Sequence, residues 1–265
     1  MDRSVCAVYA FRMRKVQRSD IRKLRPAKVR MALRRRWFES RLSRVRRRSA
    51  PGLVDLGTPY GGWTVPGDLI EPSWTCYSIG AGGDISFDLA LIDRFGPTVR
   101  AFEAVPDLAR AAVEDGSQEP RFSAYQAAVA PSDGPVRMQV THDTQSKSVS
   151  SAGLYESEDY VELPGRSLES LMSELGDARI DLLKLDIEGG EYDLVPSLDL
   201  QAMGVKVFAT QLHHTGTVKD GRRLIESLRE KGYEPVACRP AVKLTFADKE
   251  FLESRRGAAR AKVAA

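Results

Sequence analysis

Tyr77-Ser78-Ile79-Gly80-Ala81-Gly82-Gly83-Asp84-Ile85-Ser86, written YSIGAGGDIS, places three glycines within four positions. They follow directly on an apolar, strand-like run from Trp74 to Ile79. Phe87–Phe95 then has the character of a helix. A strand that hands over to a helix through bare backbone marks the ligand-binding edge of an open α/β sheet, where ligands sit beyond the carboxyl ends of the strands. Glycine there supplies positive φ and lets a ligand touch the main chain without interference from a Cβ.

Outward from this stretch, strands and helices alternate. Thr98–Glu103 is expected as a second strand, Pro106–Glu114 as a second helix and Phe122–Val129 as a third strand, with a short strand at Val136–Thr141. Arg166–Leu175 follows as a helix and Ile180–Ile187 as a strongly apolar strand. Helix Glu191–Leu198, strand Val205–Leu212 and helix Lys219–Lys231 continue the pattern, and Tyr233–Ala237 and Ala241–Ala247 close it as two strands. Alternation of this kind implies a mostly parallel sheet with helices on both faces. Cys238–Pro240 is too short for a crossover, so the last two strands must form a hairpin and one of them must run antiparallel.

The flanks differ in texture. Residues 1–50 hold 18 Lys and Arg against 3 Asp and Glu, whereas the remaining residues hold 22 against 33. The net charge of +4 therefore hides a basic extension on an acidic body. The extension has helical potential interrupted at Pro26, with Val29, Leu33 and Trp37 in a narrow apolar stripe. Such a segment suits an anionic membrane surface or nucleic acid phosphates, or is a solvated or partly disordered arm. Residues 51–250 are expected to form the folded domain and 251–265 a C-terminal tail. The Gly- and Pro-rich run 51–73 suggests ordered loops and short strands. Residues 142–160 are expected as a long polar loop, and with the YGGW segment (60–63) it is a candidate lid. Cysteines 6, 76 and 238 suggest neither a disulfide framework nor a metal knuckle. Together with the lack of a long apolar run and of a signal-peptide pattern, they point to the cytoplasm. Oligomeric state has no signature in the sequence.

The ligand class follows from what stands beside the glycines. Glu103, 23 residues past Gly80 at the end of the second strand, is placed to accept hydrogen bonds from a ribose diol. A dinucleotide fingerprint needs a third glycine where Ile85 stands, and no phosphate loop of the GxxxxGK[ST] type occurs. Asp84 and Asp88 at the helix start would repel a pyrophosphate but receive an ammonium. S-adenosylmethionine combines that ammonium with a ribose diol and no phosphate.

The segments YGGWTVP (60–66), YSIGAGGDISFD (77–88), AFEAVP (101–106), DLLKLDIEGGEYDLV (181–195) and QLHH (211–214) together resemble the FkbM family of S-adenosylmethionine-dependent methyltransferases. The resemblance runs from about Pro51 to Ala247, with the DIEGxE block as its most specific piece. It implies the Rossmann-like class I methyltransferase fold, with a seven-stranded sheet whose seventh strand is antiparallel. It also implies methyl transfer to hydroxyl oxygens of small metabolites, sugars or glycosylated natural products. Carried across, Gly80, Ala81, Gly82, Gly83 and Asp84 would line the cofactor, Glu103 would hold the ribose and Ala127–Ala128 would neighbour the adenine. Asp186 would face the methionine amino group or the reacting centre. The chain departs from the family pattern at Gln211, where a Glu-containing run is common, and at Gly190, where Ala is common.

Asp186 and Glu188 follow one strand, and His213 and His214 the next, so a parallel sheet sets all four side by side. Either histidine is a candidate base for a hydroxyl proton, since imidazole titrates near neutrality. Asp186, Glu188 and a histidine also offer mixed O/N ligation for magnesium or manganese, although no spacing in the sequence demands a metal. Glu191 is expected to favour the dipole at the start of the following helix. Two other functions remain open on the same fold: an RNA-associated protein that uses the basic arm, and a nicotinamide-dependent oxidoreductase, against which Ile85 argues.

Overall fold

The computed structural model describes residues 26–140, 149–150 and 160–255. The chain divides into two units, residues 1–37 and 38–265, with the boundary inside helix α1 (Pro26–Leu42). The reading of residues 1–25 as part of a basic extension lies outside the described residues, as do 141–148, 151–159 and the end of the expected tail from 256.

The second unit is built on a seven-stranded sheet. In chain order its strands are β3 (Thr75–Ile79), β4 (Thr98–Glu103), β5 (Phe122–Gln126), β10 (Leu182–Leu185), β11 (Val207–Gln211), β12 (Tyr233–Arg239) and β13 (Lys243–Asp248). Across the sheet the order is β12-β13-β11-β10-β3-β4-β5. Neighbours run parallel except where β13 pairs antiparallel with both β11 and β12. The short link after β12 forces this hairpin, and Pro235 is accommodated in β12 because that strand is at the sheet edge.

Helices α2 (Ser86–Phe95), α3 (Pro106–Asp115), α4 (Leu168–Leu175), α5 (Glu191–Ser197) and α6 (Val218–Glu230) complete the alternation. Every residue of β10 is buried, as expected of a central parallel strand covered on both faces. Successive residues of the strands feed two cores: Tyr77, Ile79, Leu183, Leu185 and Phe208 enter one, and Cys76, Leu182, Val207 and Ala209 the other. A hairpin of β1 (Leu53–Leu56) and β2 (Trp63–Pro66) joins the second core. Thr217 caps α6 in a reciprocal capping box with Asp220. Thr217→Ala is expected to cost about 1 kcal/mol, read as a shift in the urea midpoint with unchanged slope.

Three segments differ from the sequence expectations. Tyr160, the last residue of the expected loop, opens a strand, β9 (Tyr160–Arg166), in a second sheet with β6 (Ala128–Val129), β7 (Gly134–Val140) and β8 (Val149–Ser150), the last of which also falls within that expected loop. Its polar, half-exposed residues, with Pro164 and Gly165, disguise the strand. Arg166 ends β9, and Ser167 caps α4 through the Ser170 backbone N–H, so that helix starts two residues late. The division at residue 50 also moves, because Phe38 and Leu42 are core residues and Val45 packs against them. At the other end, residues 249–255 are helical and Leu252 is fully buried, so the tail does not begin at 251. Among the described residues, no helix is long and apolar enough to cross a membrane.

Candidate active site

Strands β3, β4 and β10 end side by side, with Ile79 in register with both Phe102 and Leu185. The glycine loop turns away from this line. Gly80 and Ala81 both donate N–H to the Phe102 carbonyl, at 2.8 and 3.2 Å. Gly80 (φ 71°) and Gly82 (φ 62°) are in the left-handed region. A Cβ on Gly80 would overlap the Asp186 carbonyl oxygen, whereas one on Gly82 would meet nothing within 4 Å. The loop is thus packed hard against β10 at one glycine and open at the next. Buried Lys184 braces it from beneath, donating to the Gly80 carbonyl at 2.9 Å.

Glu103 stands at the lip of that opening. Its Oε2 accepts the Gly82 N–H and its Oε1 the Val105 N–H, both at 2.8 Å. Two main-chain donors therefore fix a carboxylate whose oxygens each retain a further lone pair. Ala127 and Ala128 are buried next to it, with the Ala127 N–H on the Glu103 carbonyl at 3.0 Å. Asp84 instead turns toward the β1–β2 connection. It accepts from the Thr58 hydroxyl at 2.5 Å and from the Ser86 N–H at 3.0 Å. Burial opposes its ionisation, but the Ser86 and Thr58 hydrogen bonds outweigh this and hold its pKa below the ordinary value. Asp88 is buried inside the helix–sheet interface, and burial raises its pKa despite the field of Lys184, so it is not presented to a ligand.

Past β10 the chain follows Asp186, Ile187 and Glu188 into Gly189 and Gly190, and then α5. Glu188 is held at φ 53°, a left-handed conformation unusual for a residue with a side chain. Glu191 does not serve the helix end, as its sequence position suggested. It is completely buried, and its Oε1 accepts the Ile187 N–H at 3.0 Å and meets His213 Nδ1 at 2.9 Å. The other face of the imidazole closes the cluster. His213 Nε2 is 3.7 Å from Asp186 Oδ1, 3.6 Å from Glu188 Oε2 and 3.1 Å from the Gln211 side-chain amide.

The Tyr192 hydroxyl donates to the His213 carbonyl at 2.8 Å, and the Leu212 N–H to the Val242 carbonyl at 3.1 Å. His213 is therefore held from both sides of the backbone. Burial alone would depress its pKa, but Glu191 and then Asp186 and Glu188 raise it to about 9. A free imidazole poised at neutrality, the premise for His213 as a base, is not what the fold creates. His214 follows it, half-buried.

Lys243 enters from β13, its Nζ 3.8 Å from Asp186 Oδ2, 2.7 Å from the Tyr60 carbonyl and 4.9 Å from the centre of the Trp63 ring. Burial lowers its pKa. The YGGW turn is thereby tied to the site edge, with the Tyr60 side chain exposed.

Asp186 joins the two halves: its carbonyl packs on Gly80 of the loop and its carboxylate faces His213 and Lys243. The sequence placed Glu191 at a helix start and marked Gln211 only as a departure from the family pattern, and it gave no role to Lys243 or Lys184. The first three reach the site by side-chain turns that spacing does not encode.

The methyltransferase FkbM domain matches residues 79–235, more than half of the chain, including the ends of β3, β4, β10 and β11 but not Lys243 at the start of β13. The chain belongs to the FkbM methyltransferase family. The sheet order, with its antiparallel strand between two parallel ones, is the arrangement that the resemblance to this family implied. Among solved structures the chain is similar to methyltransferase FkbM from Methylobacillus flagellatus KT, with 13% identity and a TM-score of 0.45 over 67% of this chain and 44% of that one. It is also similar to the fibrillarin pre-rRNA processing protein of Methanococcus jannaschii, with 10% identity and a TM-score of 0.42 over 68% of each. A third likeness is to precorrin-6y C5,15-methyltransferase from Geobacter metallireducens GS-15, with 12% identity and a TM-score of 0.40 over 67% of this chain and 81% of that one. No curated protein matches the chain.

The cofactor that follows from the family is S-adenosyl-L-methionine. The residues present fit it: open space beside Gly82, contact no closer than 3.8 Å for a Cβ at Gly83, and a fixed carboxylate at Glu103.

Proposed function

We propose that the protein is an S-adenosylmethionine-dependent O-methyltransferase acting on a hydroxyl of a small metabolite, sugar or glycosylated natural product. The observation that carries this reading is Asp186. Its main chain packs on the glycine loop and its side chain belongs to a buried oxygen- and nitrogen-rich cluster, so cofactor side and acceptor side meet at one residue.

Gly80, Ala81, Gly82 and Gly83 form the cofactor's main-chain cradle, and Glu103 accepts from its ribose hydroxyls. Ala127 and Ala128 border the adenine, and Asp84 fixes the turn that closes the methionine end. When bound, the cofactor supplies a methyl group on a positively charged sulfur, an excellent leaving group. The chain's own task is to bring an acceptor hydroxyl into line and remove its proton. Alignment contributes roughly 7–11 kcal/mol, while a base adds roughly 10²–10⁴-fold, so a modest proton acceptor suffices. The Asp186 and Glu188 carboxylates form that acceptor group, with the His213 imidazole 3.7 and 3.6 Å from them and His214 at its rim. Such a cluster suits a hydroxyl, which must lose a proton as the new carbon–oxygen bond forms.

Glu103→Ala is the test. Removing an ionised acceptor from two ribose hydroxyls is expected to weaken S-adenosylmethionine binding roughly a hundredfold by calorimetry. Unchanged affinity in a folded variant removes the ribose assignment. Labelled S-adenosylmethionine incubated with host extract then identifies the acceptor. Label that RNase releases would overturn the small-molecule reading.

A further inference from the structure

We propose that one face of helix α1 (Pro26–Leu42) is a docking surface for an anionic lipid bilayer. The helix bears two apolar pairs at four-residue spacing, the spacing that sets side chains one above the other on a helix. Phe38 and Leu42 are buried, whereas Leu33 is 62% and Trp37 54% exposed. At about 100° per residue, Leu33 lies half a turn round the helix from Leu42, so the exposed pair faces away from the buried one. Half-buried Val29 extends the exposed pair by one turn.

This stripe runs between arginines. On the same helical count Arg36 flanks it on one side and Arg30, Arg34 and Arg41 on the other, and all four are exposed. The helix holds six Lys and Arg against one acid, Glu39. A leucine and an indole set in water between rows of guanidinium groups suit a helix that lies in a bilayer interface. The apolar side chains enter the acyl boundary, and the indole sits where one end is dry and the other wet. The arginines lay their apolar stems along the same boundary and carry their charges up to lipid phosphates.

Charge and apolarity together narrow the occupant. Residues 1–25 hold eight Lys and Arg against two acids, so their charge has the same sign as that of this face. Nucleic acid phosphates would meet the arginines but leave Leu33 and Val29 in water. An anionic bilayer takes up both features at once.

The experiment is co-sedimentation of the full-length protein with phosphatidylcholine vesicles, with and without phosphatidylglycerol, read together with tryptophan emission. Of the three tryptophans, Trp63 and Trp74 are buried and Trp37 is exposed, so a change in emission reports this helix. Binding is expected only to vesicles that contain phosphatidylglycerol, weakening as salt rises, with a blue shift of the Trp37 signal. Leu33→Ser should weaken it roughly ten-fold, and Arg30→Gln and Arg34→Gln roughly five-fold each. All three side chains are exposed, so the urea midpoint and S-adenosylmethionine affinity of each variant should match wild type.

Failure to bind the phosphatidylglycerol vesicles would overturn the proposal. So would binding with unshifted Trp37 emission, or binding of equal strength in Leu33→Ser. A dimer that Leu33→Ser dissolves, in protein that ignores vesicles, would give the face to a second copy instead. Shifted Trp37 emission with an RNA oligonucleotide and none with vesicles would give it to nucleic acid.

Discussion

Gly80→Ala is expected to destabilise the fold by roughly 2–5 kcal/mol and to abolish S-adenosylmethionine binding, while Gly82→Ala costs only roughly 1–2 kcal/mol of stability and loses the cofactor. Both glycines hold positive φ, for which an alanine costs roughly 1–2 kcal/mol. The difference is what the new methyl group meets. At Gly80 it is the Asp186 carbonyl, part of a central strand ending that has no freedom to retreat, and overpacking there adds roughly 1–3 kcal/mol. At Gly82 it is empty space, which the bound cofactor would fill. Urea unfolding and calorimetry on the two variants separate the cases. Equal stability of Gly80→Ala and wild type would disprove the close approach of loop and strand.

The second large effect lies at the opposite end of the same strands. Asp181 precedes β10 and is fully buried. Its Oδ2 accepts the Thr75 N–H at 2.9 Å, and its Oδ1 accepts from Arg179 at 3.0 Å and Lys206 at 2.7 Å. Its carbonyl takes the N–H groups of Lys206 and Val207. One residue thus ties together the beginnings of β3, β10 and β11. Asp181→Ala leaves the Thr75 N–H without its acceptor and two part-exposed cations without their anion, a loss of roughly 1–3 kcal/mol that comes mostly from the unmet N–H. Because it sits at the edge remote from the glycine loop, S-adenosylmethionine affinity should survive wherever the variant remains folded. A fall in affinity larger than the loss of folded protein would contradict this separation of stability from function.

Much of the sheet was legible because parallel strands buried on both faces are written as short apolar runs, and LLKL between Asp181 and Asp186 is such a run. The hairpin at Cys238–Pro240 followed from chain length alone. β9 did not show, since one of its faces is wet and its alternation is carried by Val161, Leu163 and a glycine. Phe38, Leu42 and Val45 form a proper helical spacing, but arginines on every side mask it, and the apolar stripe at Val29, Leu33 and Trp37 drew attention first.

At the site, residues set by strand ends were readable: Gly80, Glu103, Asp186 and His213. Glu191 was not, because an acidic side chain in a first helical turn ordinarily serves the helix and here turns inward beneath two glycines. Nor was Lys243, whose contribution depends on the sense of its strand.

That sense has a consequence. A parallel strand delivers to the ligand edge only the residue on which it finishes. By running against its neighbours, β13 arrives there with its first residue, Lys243, opposite Gln211. The reversal lets the last strand of the sheet add a cationic side chain to an edge otherwise crowded with acids, and it makes the chemistry of residue 186 depend on the hairpin nearly sixty positions downstream. A one-residue slip in the pairing of β13 with β11 would carry the ammonium group to the other face of the sheet.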